Sequence, residues 1–238
     1  MRNVRVVILA GGKGTRLKPY TTIFPKPLMP LGEMPILEVV LRQLKSAGFE
    51  KVTISVNHKA YLIQTFFNNG SQLGLDLSYC EEDEPLGTAG SLSIVKDLTD
   101  NFLVMNGDLL TTLDYAAMVR THINSGATAT IGAFPREVKI DFGVLGIDQK
   151  GELQNYREKP TYRYLVSMGV NVFNKSALEF IPHGQYLDMP KLMMNLREAG
   201  KIVMTYRSKC EWLDIGRADD YETAIEEFQR SCDKYLRN

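Results

Sequence analysis

The sequence predicts an α/β fold in which a mixed, mainly parallel sheet is flanked by helices. Short runs of apolar and β-branched residues alternate with stretches whose apolar residues recur at helical spacing. In the N-terminal half the order is β-α-β-α-β-α-β, which is typical of a parallel sheet with helices on both faces. No repeat of fixed period occurs, and no linker rich in Gly, Ser or Pro divides the chain. We therefore predict one Rossmann-like domain over residues 1–238.

The N-terminal half supplies its elements in a regular order. A strand is predicted at residues 4–9, and it runs into a glycine-rich loop. A helix is predicted to begin at Pro35, because proline is tolerated in a first turn and the apolar side chains at 36, 40, 44 and 47 share one face. Gly48 ends that helix. Strands follow at 52–56, 75–79 and 102–105, with helices at 61–67 and from Thr88 onward.

The pattern beyond Asp108 is mixed. Strands are predicted at 128–133 and 143–147, and a further short strand at 156–158. The last segment predicts a helix, whose apolar side chains at 221, 225, 228, 232 and 235 form one stripe. The exposed face of this helix could support a homodimer, although a solvated face fits the pattern equally well.

The composition is that of an ordinary globular protein, with 238 residues of which 44% are hydrophobic and 24% charged. Basic and acidic residues number 28 each, and this balance argues against a nucleic-acid partner, since nucleic-acid binders need a basic surplus. The longest early apolar run, at 6–10, is too short for a signal peptide and far below the roughly 20 residues of a membrane span. We expect a cytoplasmic protein with no membrane partner.

The cysteines and histidines form no pattern that is typical of a metal site. Cys80, Cys210 and Cys232 are odd in number and widely spaced, which fits neither a disulfide framework nor a zinc site. The histidines at 58, 122 and 183 are scattered as well, and we expect each to be structural or on the surface.

A glycine-rich loop after the first predicted strand is the first chemical signal. The glycines at 11, 12 and 14 let backbone N–H groups approach an anion closely, and Arg16 adds donors suited to phosphate oxygens. A Walker A motif is excluded because Lys13 is followed by Gly14, and a dinucleotide fingerprint because Leu17 stands where a third glycine is needed. A tight turn is the alternative, but open α/β sheets bind ligands at this position.

Lys26 lies between two prolines, nine residues beyond the end of that loop. Prolines hold the flanking backbone near an extended conformation, so the lysine is held in place. A cation fixed beside a phosphate-binding loop can neutralise the charge that develops during phosphoryl transfer. Taken alone, the tripeptide is more typical of a solvated loop.

These segments together resemble the sugar-1-phosphate nucleotidylyltransferase family. The matching motifs, in order, cover residues 11–17, 25–27, 84–90, 106–108, 142–144, 158–160 and 212–216, and the similarity spans residue 4 to about residue 225. The resemblance implies a reaction in which a sugar 1-phosphate attacks the α-phosphorus of a nucleoside triphosphate and releases pyrophosphate, with Mg²⁺ as cofactor. The motif at 84–90 is most similar to guanylyltransferases that act on mannose or manno-heptose 1-phosphate, so GTP is favoured over UTP, dTTP and CTP.

The resemblance assigns roles to residues on the nucleotide side. Arg16 would bind the β/γ end of the triphosphate, and Lys26 would lie at the α-phosphoryl group. Asp108 would be catalytic and, together with Asp214, would hold the magnesium ion, although the spacing of the two aspartates alone predicts nothing. The implied nucleotide-binding residues are Leu9, Gly11, Gly12, Gly14, Thr15, Glu84, Gly87, Thr88 and Gly107.

The resemblance also implies a sugar-phosphate site. Gly143 would border it, Glu158 would accept hydrogen bonds from sugar hydroxyls and Lys159 would bind the phosphate. Many relatives have Asn-Ala-Gly-Ile-Tyr where this chain has Ser-Met-Gly-Val-Asn at 167–171. We expect Asn171 to contact a sugar substituent and to alter which sugar is accepted, and Ser167 is a second candidate for that contact.

Two other classes of function are weaker alternatives. A catalytically silent regulatory subunit that binds a nucleotide sugar commonly lacks a loop residue or a metal carboxylate, and the four residues concerned are all present: Arg16, Lys26, Asp108 and Asp214. A metal-dependent glycosyltransferase typically carries Asp-x-Asp, which this sequence lacks. Because the chain ends after the last predicted helix, we expect none of the acyltransferase or sensor domains that several relatives carry.

Overall fold

The computed structural model describes residues 1–12, 14–57 and 59–236, so Lys13 and His58 lie outside the described residues. The strands are β1 (Arg5–Leu9), β2 (Pro30–Leu31), β3 (Met34–Pro35), β4 (Lys51–Val56), β5 (Asp76–Glu81), β6 (Asn101–Asn106), β7 (Leu109–Thr111), β8 (Ala129–Lys139), β9 (Val144–Ile147), β10 (Leu153–Arg157), β11 (Thr161–Asn174), β12 (Val203–Arg207) and β13 (Trp212–Asp214). The α-helices are α1 (Ile36–Ser46), α2 (Ala60–Phe67), α3 (Gly87–Gly90), α4 (Tyr115–Ser125), α5 (Met189–Glu198) and α6 (Ala218–Tyr235).

Within the described residues, a seven-stranded sheet in the order β12-β8-β11-β6-β1-β4-β5 forms the centre of the fold. Strand β1 pairs in parallel with β4 and β6, β4 with β5, and β8 with β12. Only β11 runs antiparallel within this sheet, and it pairs with β6 on one side and β8 on the other. The predicted fold class, a mixed and mainly parallel sheet with flanking helices, is confirmed.

Helices cover both faces of the sheet. Successive side chains of a strand point to opposite faces, and in the central strands the side chains on both faces are apolar and must be buried. In β1, Val6 and Ile8 pack with α1, α2 and α4, whereas Val7 packs with α5 and with Phe173 of β11. Helix α6 packs against α1 in a third apolar cluster that includes Phe228 and Tyr235. None of the described helices is both long enough and apolar enough to cross a membrane.

The predicted elements of the N-terminal half agree with the structure to within a few residues. The predicted helix from Thr88 is short: α3 covers four residues, and a 3₁₀ turn at Ser91–Ser93 continues it. In the C-terminal half the predicted strand at 128–133 extends to Lys139, and the one at 156–158 is β10, which begins at Leu153. The sequence patterns did not predict α4, α5, β12 or the full length of β11.

The topology brings loops from distant parts of the chain to one edge of the sheet. The parallel strands β1, β4 and β6 all end at this edge. Strand β11 pairs with β6 only from Val170 onward, so its first part and the second half of β8 extend past the edge as a two-stranded arm. The arm's two strands are connected through the separate β9–β10 hairpin. A second small pairing, β13 with β7, brings Asp214 beside Leu109.

Candidate active site

A cavity of about 430 Å³ lies where β1 and β6 end. Most of the predicted nucleotide-side residues line it: Leu9, Gly11, Gly12, Gly14, Thr15, Arg16, Lys26, Gly87, Thr88, Gly107 and Asp108. Ala10, Pro27, Glu82, Pro85 and Asn106 complete the lining. The structure therefore brings together segments that are up to about a hundred residues apart in sequence, as expected for a ligand site at the edge of an α/β sheet.

The glycine-rich loop needs glycine at position 14 for two reasons. Gly14 has a left-handed φ of 61°, which other residues rarely adopt. A Cβ there would also lie 3.0 Å from Thr21 Cγ2, and the Thr21 hydroxyl donates a 2.7 Å hydrogen bond to the Gly14 carbonyl. These contacts fix the turn that leads into the short 3₁₀ helix Thr15–Leu17, on which Arg16 lies exposed.

Gly107 allows the C-terminal end of β6 to lie close to the C-terminal end of β1. Its N–H donates to the Leu9 carbonyl at 3.0 Å, and a Cβ at this position would lie 3.0 Å from Ile8 Cγ2. The close approach sets Asp108 next to the glycine-rich loop, at the point where β6 turns toward β7.

Lys26 and Asp108 form an ion pair inside the cavity, between Lys26 Nζ and Asp108 Oδ2. Lys26 begins a 3₁₀ turn, and only 8% of its surface is exposed. The other carboxylate oxygen, Asp108 Oδ1, is buried and has no hydrogen-bond partner among the described residues. An unpaired buried carboxylate oxygen is costly, which indicates that this atom is placed for a ligand.

The pairing of β7 with β13 brings Asp214 next to Asp108. The Ile215 N–H extends this pairing, because it donates a 3.2 Å hydrogen bond to the Asp108 carbonyl. Asp214 is exposed, yet neighbouring protein atoms still remove part of its hydration. This desolvation, with the charge of Asp108, raises the pKa of the Asp214 carboxyl above its ordinary value, while Lys26 and Arg16 act in the opposite direction. Asp220 of α6 adds a third nearby carboxylate that sequence reasoning missed.

The donor set of Asp108 and Asp214 fits a magnesium ion. Mg²⁺ prefers hard oxygen ligands and usually binds through one or two carboxylates, with water and substrate phosphate completing the shell. The orphaned Oδ1 of Asp108 is an acceptor of that kind. Across the parts of the chain that the structure describes, no cluster of three or more His, Cys, Asp or Glu side chains forms a complete metal cage. Both observations agree with a metal site in which oxygen atoms of the substrate complete the coordination shell.

The predicted nucleobase segment is only partly in the cavity. Gly87 and Thr88 line it, while Glu84 is exposed and lies outside the lining. Gly87 has a φ of 75°, and a Cβ there would lie 2.7 Å from the Leu187 carbonyl oxygen. The loop before α5 is thus packed tightly onto α3, and the Thr88 hydroxyl accepts a 2.7 Å hydrogen bond from the Met189 N–H.

Glu82 is a lining residue that sequence reasoning missed. Its Oε1 accepts a 2.8 Å hydrogen bond from the Ser55 hydroxyl, and its Oε2 accepts a 2.9 Å hydrogen bond from the Leu86 N–H. Both oxygens are therefore held in place at the cavity wall. Its position directly after β5, in the sequence Glu-Glu-Asp-Glu, was a signal available in the sequence, but it does not distinguish Glu82 from its acidic neighbours.

The predicted sugar-phosphate residues lie outside the cavity. Gly143 and Glu158 are brought together by Tyr156, whose hydroxyl donates to Glu158 Oε2 at 3.2 Å and would lie 2.4 Å from a Cβ on Gly143. Glu158 and Lys159 are exposed, and Lys159 has a left-handed φ of 44°. These residues form an open surface around the β9–β10 hairpin.

Asn171 is separate from that surface. It lies in β11 opposite Val104, is 4% exposed, and its Oδ1 has no hydrogen-bond partner among the described residues. Gly169, two residues earlier, is the closer link to the cavity, because a Cβ there would lie 2.6 Å from Nδ2 of Asn106, which lines the cavity. Asn171 is therefore near the cavity wall and does not line it.

Comparison with known proteins gives the family. The nucleotidyl transferase family profile matches residues 5–231. The chain belongs to this family. Among curated proteins, this nucleotidyl transferase is 32% identical over 242 residues to UTP--glucose-1-phosphate uridylyltransferase of Synechocystis sp., with 93% of this chain covered. It is 30% identical over 226 residues to mannose-1-phosphate guanylyltransferase of Mycobacterium tuberculosis, with 92% covered. The chain spans 62% of the length of each of these relatives.

Solved structures match the fold of this nucleotidyl transferase. HddC from Yersinia pseudotuberculosis is 27% identical with a TM-score of 0.74, and the match covers 94% of this chain and 99% of that chain. A second HddC structure, complexed with GMP-PN, is 26% identical with the same TM-score and the same coverage of both chains.

Proposed function

We propose that this nucleotidyl transferase transfers a nucleoside monophosphate from a nucleoside triphosphate to a sugar 1-phosphate and releases pyrophosphate. One observation carries the proposal. A single cavity is lined by a glycine-rich loop, by the cations Arg16 and Lys26 and by Asp108, with Asp214 beside Asp108. Backbone donors, fixed cations and paired carboxylates are the groups that transfer of a charged phosphoryl centre requires. The activities named for the two curated relatives support the same reaction.

The reaction at this site needs positioning and charge stabilisation rather than a protein nucleophile. An oxygen of the sugar phosphate forms the new bond to the α-phosphorus, and the bond from the α-phosphorus to the bridging oxygen of pyrophosphate breaks. The attacking phosphate is already ionised near neutral pH, so no side chain has to remove a proton.

Each charged residue has a role in this scheme. The backbone N–H groups of the glycine-rich loop and the Arg16 guanidinium hold the departing pyrophosphate, and Lys26 stabilises charge on the α-phosphoryl group. Asp108 and Asp214 would hold a magnesium ion, which supplies further neutralisation of the phosphate oxygens when it is bound.

The carboxylate of Glu82 favours GTP as the nucleotide donor. The Watson–Crick edge of guanine presents adjacent N1–H and N2–H donors, and a carboxylate accepts hydrogen bonds from both. Uracil and thymine present one N–H between two carbonyl oxygens, and a carboxylate repels those oxygens. Because Ser55 and Leu86 already fix the Glu82 carboxylate, it is set before the base arrives. The GMP-PN complex of HddC agrees with a guanine nucleotide in a related fold.

The acceptor is a sugar 1-phosphate bound on the open side. Lys159 supplies a cation for its phosphate, and Glu158, oriented by the Tyr156 hydroxyl, supplies an acceptor for sugar hydroxyls. Asn171, whose Oδ1 has no hydrogen-bond partner among the described residues, is the candidate for a contact with a sugar substituent, and Asn171→Tyr is expected to change which sugar is accepted.

A substrate panel tests the proposal. The enzyme is mixed with Mg²⁺, one of GTP, UTP, dTTP or CTP, and one of mannose, manno-heptose or glucose 1-phosphate, and pyrophosphate release is measured. We expect the highest kcat/KM with GTP. Nucleotide binding without pyrophosphate release from any pair would overturn the transferase proposal in favour of a silent regulatory subunit.

A further inference from the structure

The Lys26–Asp108 ion pair has a consequence for the order in which metal and nucleotide bind. The Lys26 ammonium occupies Oδ2 of Asp108, one of the two carboxylates that fit a metal ion. A metal bound at about 2.0–2.1 Å to the free Oδ1 and an ammonium in contact with Oδ2 of the same carboxylate repel each other in a partly buried site. The ion pair therefore weakens metal binding at Asp108 until it opens.

The lysine side chain can make this exchange without a change in the backbone. Pro25 and Pro27 flank Lys26, and its carbonyl accepts a 3.0 Å hydrogen bond from the Met29 N–H. Its Cβ lies close to Gly14, since a Cβ on Gly14 would be 3.3 Å away. The base of the side chain is thus fixed, and the four-carbon stem lets the ammonium turn from Asp108 toward the glycine-rich loop.

Leaving Asp108 is unfavourable unless the ammonium gains another anion. Lys26 is nearly buried, and an unpaired buried ammonium is costly. The cavity that Lys26 lines also contains the glycine-rich loop, where the phosphates of a nucleotide would bind. A polyphosphate offers the ammonium that new partner.

We propose that Lys26 acts as a stand-in cation on Asp108, and that nucleotide phosphate must draw it away before a divalent metal is held tightly. Metal then binds with the nucleotide and only weakly without it. The inference rests on the proposed function for the identity of the nucleotide, while its main measurement needs no turnover.

The test is a titration of the whole protein with Mn²⁺, in which electron paramagnetic resonance measures the free metal. In the absence of nucleotide we expect Lys26→Met to bind Mn²⁺ at least about tenfold more tightly than the wild type. The exposed Lys18 lies in the same segment, and Lys18→Met, which also removes one positive charge, is expected to leave the affinity unchanged. Adding Asp108→Asn to Lys26→Met is expected to abolish the gain.

A second variant keeps the test decisive if Lys26→Met does not fold. Lys26→Gln retains a polar end that can donate to Asp108 but carries no charge, and it is expected to gain affinity for Mn²⁺ as well. Equal affinities of folded Lys26 variants and wild type for Mn²⁺ alone, with tight uptake by the wild type when GTP is present, would overturn this inference and leave the proposed function standing. No Mn²⁺ uptake by the wild type with GTP, UTP, dTTP or CTP would overturn both.

Discussion

The proposed nucleotide side and the proposed acceptor side of the site are built from different parts of the sheet. On the nucleotide side, the ends of β1 and β6 meet directly, and the cations, carboxylates and loop glycines line one cavity. On the acceptor side, the β8–β11 arm and the β9–β10 hairpin extend past the sheet edge, and Glu158 and Lys159 are exposed. The nucleotide side is therefore formed before any ligand binds, and the acceptor side is open.

This difference indicates which step each side controls. Groups fixed in a cavity can stabilise charge in the transition state with little reorganisation, so their loss lowers kcat. Exposed groups must be ordered by the acceptor itself, so their loss mainly raises KM for that substrate. Variants on the two sides should therefore separate into those that lower kcat and those that raise KM.

Replacing Asp108 by Asn is expected to have the largest effect. It removes the charge that pairs with Lys26 and that would hold the metal, so kcat should fall about 10²–10³-fold with a smaller change in KM for the acceptor. Steady-state pyrophosphate release measures this. Asp219 lies in the exposed first turn of α6, and Asp219→Asn is the matched control, which should leave kcat unchanged. An Asp108→Asn rate within about threefold of wild type would contradict the assignment.

Replacing Glu82 by Gln is expected to change the choice of base. The amide can donate to a uracil or thymine carbonyl, so kcat/KM should fall for GTP and rise for UTP or dTTP, with a change in their ratio of about 100-fold. Glu84→Gln is the matched control, because Glu84 is exposed outside the cavity. An equal effect of both variants, measured on the same panel of nucleotides, would show that Glu82 does not contact the base.

His122 tests how firmly helix α4 is packed against the first part of β8, within the main sheet. His122 of α4 is 1% exposed, and its Nδ1 lies 2.8 Å from the Thr130 hydroxyl of β8. Burial lowers the pKa of His122 to about 4. The unfolded chain therefore binds more protons between about pH 6.5 and pH 4, so stability falls as the pH falls through that window.

The expected loss from His122 is about 2 kcal/mol between pH 7 and pH 5. Urea unfolding at both pH values measures it, and His122→Gln should show a correspondingly smaller difference between them. The exposed His183 provides the control, since His183→Gln should keep the wild-type difference. An unchanged pH dependence in His122→Gln would mean that the packing between α4 and β8 opens enough for His122 to be protonated.

Lys159→Met is expected to have the smallest effect on turnover. It should raise KM for the sugar phosphate about tenfold and change kcat less, because an exposed cation adds modest binding energy. Lys150→Met, in the exposed turn between β9 and β10, is the matched control for charge on the hairpin. A fall in kcat as large as that of Asp108→Asn would contradict the distinction between the two sides.

The sequence predicted the nucleotide side better than the acceptor side, and the reason is physical. Buried parallel strands require continuous apolar runs and glycines at close backbone contacts, and both are visible in the residues around Val6 and Gly107. The first part of β11, from Thr161 to Leu165, is largely exposed, so no apolar pattern marked it. Helix α4 contains small and polar residues such as Ala116 and Thr121, which give a weak helical stripe.

Contacts that depend on tertiary packing could not be predicted. The position of Asp214 depends on the short β7–β13 pairing, and that of Asp220 on the packing of α6. Glu82 differs from Glu84 in accepting hydrogen bonds from Ser55 of the neighbouring strand β4 and from the Leu86 N–H, contacts that hold it at the cavity wall. The family resemblance predicted Asp214, but neither the resemblance nor the sequence pattern predicted Asp220 or Glu82.

A crystal structure with a non-hydrolysable GTP analogue and Mg²⁺ would show whether the glycine-rich loop, Lys26 and Asp108 form the nucleotide site. The expected result is a structure with phosphates on the glycine-rich loop, a metal between Asp108 and Asp214, Lys26 moved from Asp108 to a phosphate oxygen, and a backbone shift below about 1 Å around the cavity. A nucleotide bound away from this loop, with Lys26 still paired to Asp108, would contradict it.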